Sequence, residues 1–318
     1  MCSFVLHTNC IIISKLKMNS KVGRGDRKRG VSKLERGFGM RRAGFKRDAL
    51  RIIRSRRGLA IPVTFLMLFV SLIIIVSTTY CFAVIRIQTR GALLKASAAK
   101  QNMLFLKQAV EDVAWLPSSS RVVCFKDYGG VFTVDPEARN LVLTLTNGSS
   151  FSATVYNSSV GEAVYLLPHT EEVGDLFFLE GSSAAIVNDS SSAMPQVYIL
   201  PTVNGSEVVL CYRPFASSVS AGESDGKPVN VFRIYVVSFN VSNGFQARGK
   251  FYVRVSAVNV AFTFCSYEFN SSISSLGVQS VLDGVETTVW LPVTSNEDGA
   301  VVNVEVVTCY VRLLKMEV

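Results

Sequence analysis

The sequence predicts an all-β extracytoplasmic head, one antiparallel β-sandwich or two in series, on a long N-terminal helix that begins as a transmembrane segment. Three observations carry that expectation. Leu59 to Ile85 is a run of 27 residues without a charge. Apolar residues then recur at helical spacing as far as Leu116. Beyond Ser120 the pattern changes to period two, with Gly, Asn, Asp and Pro separating short β-branched or aromatic runs. The segments are a basic cytoplasmic arm or leader (1–58), a transmembrane helix (59–85), an amphipathic helix (86–116) and two β parts (117–216 and 229–318).

The arm comes first. The chain has 318 residues and a net charge of +9, but residues 1–58 hold 17 Lys/Arg against three acids. That leaves 16 basic and 21 acidic residues for the remainder. The basic character therefore belongs to the arm. It alternates Lys/Arg with Gly and Ser and has little apolar periodicity. Such a tail is read as a solvated topology signal, so the bilayer is an expected partner and nucleic acid is not. Arg24-Gly25-Asp26 lies in this cytoplasmic arm and carries no adhesive meaning. Met18 and Met40 are further candidate starts; a start at Met40 yields the compact leader MRRAGFKRDALRIIRSRRG.

The uncharged run follows. At about 1.5 Å per residue it makes roughly 40 Å of helix, against about 30 Å of hydrocarbon. A removable secretory signal has a shorter apolar core and a small-residue cleavage site. Arg47, Arg51, Arg54, Arg56 and Arg57 crowd one flank, while Arg86, Arg90, Lys95 and Lys100 are sparser on the other. The positive-inside rule places the N-terminus in the cytoplasm and the C-terminal domain outside the cell membrane. All six Asn-x-Ser sequons, at Asn147, Asn157, Asn188, Asn204, Asn240 and Asn270, follow the span. They are the candidate glycosylation sites.

Past the span, Leu94, Ala98, Phe105, Ala109, Val113 and Leu116 form one apolar stripe. It is expected to pack on the next domain, and Pro117 and Ser118–Ser120 end the helix. Strands are then expected at Arg121–Phe125, Val131–Val134, Leu141–Leu145, Phe151–Tyr156, Ala163–Leu167, Leu176–Leu179, Gln196–Leu200 and Val208–Tyr212. After the Ser/Gly-rich stretch Ser217–Pro228, read as a boundary or long loop, come Val231–Phe239, Lys250–Val255, Val260–Phe269, Thr287–Leu291 and Val301–Leu313.

Cys124, Cys211, Cys265 and Cys309 each fall in or beside an expected strand. An even count outside the cell allows two disulfides in three connectivities. Gaps of 87, 54 and 44 residues between them do not fit a zinc site. Gly222-Glu-Ser224-Asp-Gly226 matches G-x-S-x-G, but the nucleophile elbow needs a strand-to-helix turn, and nothing places His169 near Ser224. Asn296-Glu-Asp298-Gly lacks the alternating ligands of a calcium loop. No catalytic residues, metal ligands or cofactors are expected, and the chain is not read as an enzyme.

The leader end, span and striped helix resemble archaeal type IV pilin-like proteins. In those, a basic leader ends in Lys/Arg–Gly or Arg–Ala, and a membrane-embedded aspartic prepilin peptidase cuts before the apolar helix. The resemblance covers about residues 40–116. Arg56-Arg57-Gly58 stands at the leader end, and Leu59 would be the first mature residue. Pro62 is similar to the proline near the start of many archaeal members, offset by one position. Val63 stands where bacterial pilins carry glutamate, and Leu59 where one archaeal subset carries Gln. The head is similar to that family in class alone. The resemblance implies a cell-surface subunit with a structural or interaction role, processed after Gly58 and assembled into a filament. Its partners would be the prepilin peptidase and other pilin-like subunits. The alternative is an uncleaved, single-pass, membrane-anchored β-sandwich that binds a partner or mediates adhesion.

Overall fold

The computed structural model describes residues 48–168, 176–189, 192–203 and 205–316, with the backbone alone for 48–60 and 168. The arm before residue 48, His169 and the sequon residue Asn204 lie outside the described residues. The chain divides into two compact units, Met1–Ile73 and Ile74–Val318.

Helix α1, Asp48–Ala114, runs for 67 residues and contains Pro62. The expected start at Leu59 is therefore corrected. Leu, Ile, Ala and Arg on both sides are good or tolerable helix formers, and they outweigh the single hydrogen bond that a proline removes. Among the described residues, one helix is long and apolar enough to cross a membrane. Four hydroxyls in its apolar stretch, on Thr64, Ser71, Thr78 and Thr79, bond back to their own helix. Thr64 and Ser71 donate to the carbonyls of Ile61 and Leu68 at 2.9 and 2.8 Å. Thr79 donates to that of Ile75 at 2.8 Å. Polar atoms satisfied inside the helix need no water, which is the condition for a segment in hydrocarbon.

The second unit is β-rich. Its strands are β1 (Ser120–Phe125), β2 (Val131–Asp135), β3 (Asn140–Thr146), β4 (Ser152–Ser159) and β5 (Glu162–Pro168). Next come β6 (Phe177–Glu180), β7 (Pro195–Thr202), β8 (Gly205–Tyr212), β9 (Phe215–Ser224) and β10 (Lys227–Ser238). The last are β11 (Phe245–Arg248), β12 (Phe251–Phe269), β13 (Ser275–Leu282), β14 (Val285–Pro292) and β15 (Ala300–Met316). They form three sheets, ordered β1-β12-β15-β10-β9, β11-β2-β5-β8-β7-β6 and β14-β13-β3-β4.

Three departures from the sequence reading matter. Ser217–Pro228 is not a boundary but the hairpin β9–β10, which turns at Asp225-Gly226 with φ of 51° and 78°. Both residues at positive φ make the tight turn that suits a two-residue hairpin. Every sheet mixes strands from either side of that hairpin, so 117–216 and 229–318 are not separate sheets in series. β11 and β13 were not expected as strands. Lys250–Val255 and Val260–Phe269 are one strand, β12, paired with β15 along its length.

Two large apolar clusters hold the unit together. The first gathers α1, the six-stranded sheet and one end of the five-stranded sheet, including Met103, Leu106, Phe125, Phe132, Tyr165 and Val311. The second lies between the four-stranded sheet and the other end, and includes Leu143, Phe232, Ile234, Val278 and Val304. β15 feeds both. Ala300, Val302, Val304 and Val306 enter the second cluster, and Cys309, Val311 and Leu313 the first. Because side chains alternate along a strand, even and odd residues face opposite ways. The two clusters therefore lie on opposite faces of the five-stranded sheet. β10 repeats the switch, with Phe232, Ile234 and Val236 in one cluster and Val237 in the other. β12 keeps step with a bulge between Ala257 and Asn259.

Candidate functional site

The C-terminal part of α1 sits against the β strands through Ala96, Ala99, Met103, Leu106, Val110 and Val113, all buried. Their spacings of three and four residues are those of a helix seam. Ala96 and Ala99 are small, which lets the helix backbone come close to the sheet. Polar ties accompany the seam. Asn102 Nδ2 donates to the Cys124 carbonyl at 2.8 Å, and the Tyr212 hydroxyl to the Lys107 carbonyl at 3.1 Å. The Cys309 thiol donates to the Ala114 carbonyl. Lys107 Nζ lies 2.8 Å from Glu111 and 2.6 Å from Glu180 on β6. Burial works against its charge, but the two carboxylates outweigh that and hold its pKa above the usual lysine value.

The stripe expected from sequence is not this seam. Ala109 and Val113 are buried as expected. Leu94 is 72% exposed, Phe105 49% and Leu116 61%, and Ala98 is half-buried. At about 100° per residue, Ile87, Leu94 and Phe105 fall within about 20° of one another, while Leu116 lies past the helix end at Ala114. The seam lies roughly 130° away round the helix. This part of α1 thus carries two apolar faces, one covered by the β strands and one open.

A second open apolar surface lies on the five-stranded sheet. Past the bulge in β12, Phe262 and Phe264 occupy the face that the first cluster uses at the other end, where nothing covers them. They are 59% and 67% exposed, and their rings stack at 6.4 Å. Period two alone would have put them on the side opposite the buried Val255. The single extra residue at the bulge reverses that, and it has no signal in the sequence.

The expected leader residues Arg56, Arg57, Gly58 and Leu59 lie within α1. Of the sequons, Asn157 is exposed on β4, at the end of the four-stranded sheet. Asn188 is also exposed, although its Ser190 lies outside the described residues. Asn270 is exposed, and its Oδ1 accepts a bond from Lys227 Nζ at 2.8 Å. Asn147 is half-buried, and its Oδ1 accepts from the backbone N–H of Ser149, Ser150 and Phe151 at 3.1, 3.0 and 2.9 Å. Asn240 is tighter still: its Oδ1 is buried and has no hydrogen-bond partner.

The two disulfides that an even cysteine count allows are not seen among the described residues. Cys124, Cys211, Cys265 and Cys309 are all free thiols, as is Cys81 in the helix. They occupy separate environments. Cys309 is in the first cluster, and Cys265 borders the second. Cys211 joins Tyr198 and Val209 in a small third cluster, while Cys124 lies on edge strand β1. Burial pushes the thiol pKa of both Cys211 and Cys309 up to about 12. At neutral pH they behave as small apolar residues.

Elsewhere the arrangement is structural. Ser224 ends β9 and pairs with Lys227 across the hairpin turn, not at a strand-to-helix elbow. The Asn296 Oδ1 accepts the Asp298 N–H at 3.1 Å, and its Nδ2 donates to the Gly226 carbonyl at 2.6 Å. Among the described residues no group of three metal-binding side chains converges. Arg139 joins two sheets, 2.9 Å from Glu162 on β5 and 2.8 Å from Asp283 after β13. Arg213 is buried and donates to the carbonyls of Ser182, Ala184 and Ala193, tying the β6–β7 connection down. Neither arginine stood out in the sequence, because their partners are distant in the chain.

Compared with known proteins, the chain matches no family model, no curated protein and no solved structure.

Proposed function

We propose that this chain is an archaeal type IV pilin-like surface subunit. In this reading the helix crosses the cell membrane once, with the basic arm in the cytoplasm and the strand-rich head, a β-sandwich, outside. A prepilin peptidase removes the leader after Gly58, and the exposed Asn157, Asn188 and Asn270 are the favoured glycosylation sites.

The observation that carries the reading is the second, open face of α1. A helix that served only as a tether would need one apolar face against its own domain. Ile87, Leu94 and Phe105 present another, beyond the end of the uncharged run. Neighbouring subunits would cover that face. Removing the arm's charges frees the helix to leave lipid, and close packing against like helices then replaces lipid contacts. N-terminal sequencing of the membrane form tests the proposal. A mature terminus at Leu59 supports it, and a stable uncleaved chain in cells that hold the peptidase rules it out.

The second reading is an uncleaved, membrane-anchored binding protein. The open Phe262/Phe264 surface favours it, since an apolar sheet face is a natural contact for a partner. A monomeric, uncleaved form that loses ligand binding on Phe264→Ser would select this reading over the first.

A further inference from the structure

The geometry points to Pro62 as a positioning residue for leader removal: it leaves the carbonyl of Gly58, the one at the bond to be cut, without a helical donor. This inference rests on the reading that the chain is cleaved after Gly58. Helix α1 passes through Gly58 and Leu59, so the bond to be cut lies inside a helix. In an α-helix each carbonyl accepts from the N–H four residues on. Four residues after Gly58 is Pro62, which has no N–H, and its ring crowds that same carbonyl. The neighbours differ. The carbonyls of Arg56, Arg57 and Leu59 face donors on Ala60, Ile61 and Val63. In this turn, the one carbonyl left unpaired by the chain's own chemistry belongs to the target bond. Gly58 is itself the poorest helix former after proline, which weakens the same turn.

The chemistry needs that freedom. Water adds to the Gly58 carbonyl carbon, the C–N bond to Leu59 breaks, and both protons from water pass to the Leu59 nitrogen. The products are a carboxylate on Gly58 and an ammonium on Leu59. A carbonyl oxygen held in a helix bond must first give that bond up before a peptidase can stabilise charge on it. Gly58 has none to give up. Cleavage also relieves the proline. In the cut chain the first four N–H groups of the helix have no intrahelical acceptor, and Pro62 is the fourth residue. Its missing donor then costs nothing, and the clash with the Gly58 carbonyl is gone.

The test uses the full chain in detergent with a prepilin-type peptidase, followed by cleavage kinetics and N-terminal sequencing. The wild-type chain is expected to yield Leu59 as the new terminus. Pro62→Ala restores the donor and is expected to lower kcat about tenfold with KM little changed, the factor for breaking one extra hydrogen bond. The double variant I61P/P62A keeps a proline in the turn but moves the unpaired carbonyl to Arg57, and it is expected to stay slow. Cleavage of Pro62→Ala at the wild-type rate overturns the inference. So does full recovery in I61P/P62A, which would mean that general weakening of the helix is enough. A wild-type chain left uncut at Gly58 has a different meaning, because it removes the cleavage reading itself and this inference with it.

Discussion

The two ends of the apolar helix differ in what surrounds them. From Ile61 to Ile87 nearly every large side chain is exposed, and the run up to Ile85 has no charge. From Ala96 to Ala114 charges return, and one face is buried against strands. The first stretch is rich in β-branched Ile, Val and Thr and the second in Ala, Leu, Lys and Gln, yet both are helical. The difference is in the solvent each is made for. The first bonds the hydroxyls of Thr64, Ser71, Thr78 and Thr79 within the helix and offers a mostly apolar surface. The second has small residues where a sheet comes close, plus ion pairs at its margins.

The largest test of that contrast is to hollow out the seam. Leu106→Ala should cost about 2–5 kcal/mol in denaturant unfolding, the range for deleting a fully buried leucine. Leu94→Ala, 12 residues earlier on the open face, should cost less than about 0.5 kcal/mol. Equal losses would mean that the seam is misplaced. Placing a charge in the first stretch should act on insertion instead. Ile74→Asp should oppose membrane insertion by about 3 kcal/mol, read from the fraction integrated into membranes, while the β domain keeps its melting temperature.

A smaller effect concerns the β domain alone. Arg139→Ala strips Glu162 and Asp283 of their shared partner, and about 2 kcal/mol of unfolding free energy should be lost. The smallest concerns the thiols. Alkylation of the native protein near pH 8 should label Cys124 and Cys265, which are half-buried, before Cys211 and Cys309. The reagent attacks the thiolate, and burial holds the last two neutral up to about pH 12. The same groups set a pH trend. A thiol pKa raised in the folded state means the folded chain keeps protons that the unfolded chain releases, so stability is full below about pH 9 and falls as pH rises toward 12. A flat unfolding profile from pH 8 to 11 would contradict this.

Much of the secondary structure was legible because its signals are local. The strands at Val131–Val134 and Leu141–Leu145 are short apolar runs between turn residues, and they form where those runs placed them, with burial alternating along each. β9 was hidden because Ser217–Ser224 has the composition of a loop. It is a strand only because β10 offers it a ladder. β13 was missed for a similar reason: it gains its place between β3 and β14 through pairing. The spacing from Leu94 through Ala98 and Phe105 is as helical as that from Ala96 through Ala99 and Met103, so periodicity alone does not tell the open face from the covered one. Close approach to a sheet prefers the alanines.

Residue chemistry alone settled the length of uncharged helix, the imbalance of charge on its two sides and the change to period two at Ser120. Each depends on neighbours within a few residues. Tertiary structure decided which face of the helix is covered, which strands share a sheet, that four cysteines stay apart, and that two cores occupy opposite faces of one sheet. Those outcomes depend on register between segments as distant as β1 and β12, or β3 and β13. A one-residue slip there turns every side chain to the other face, and no local pattern reports it.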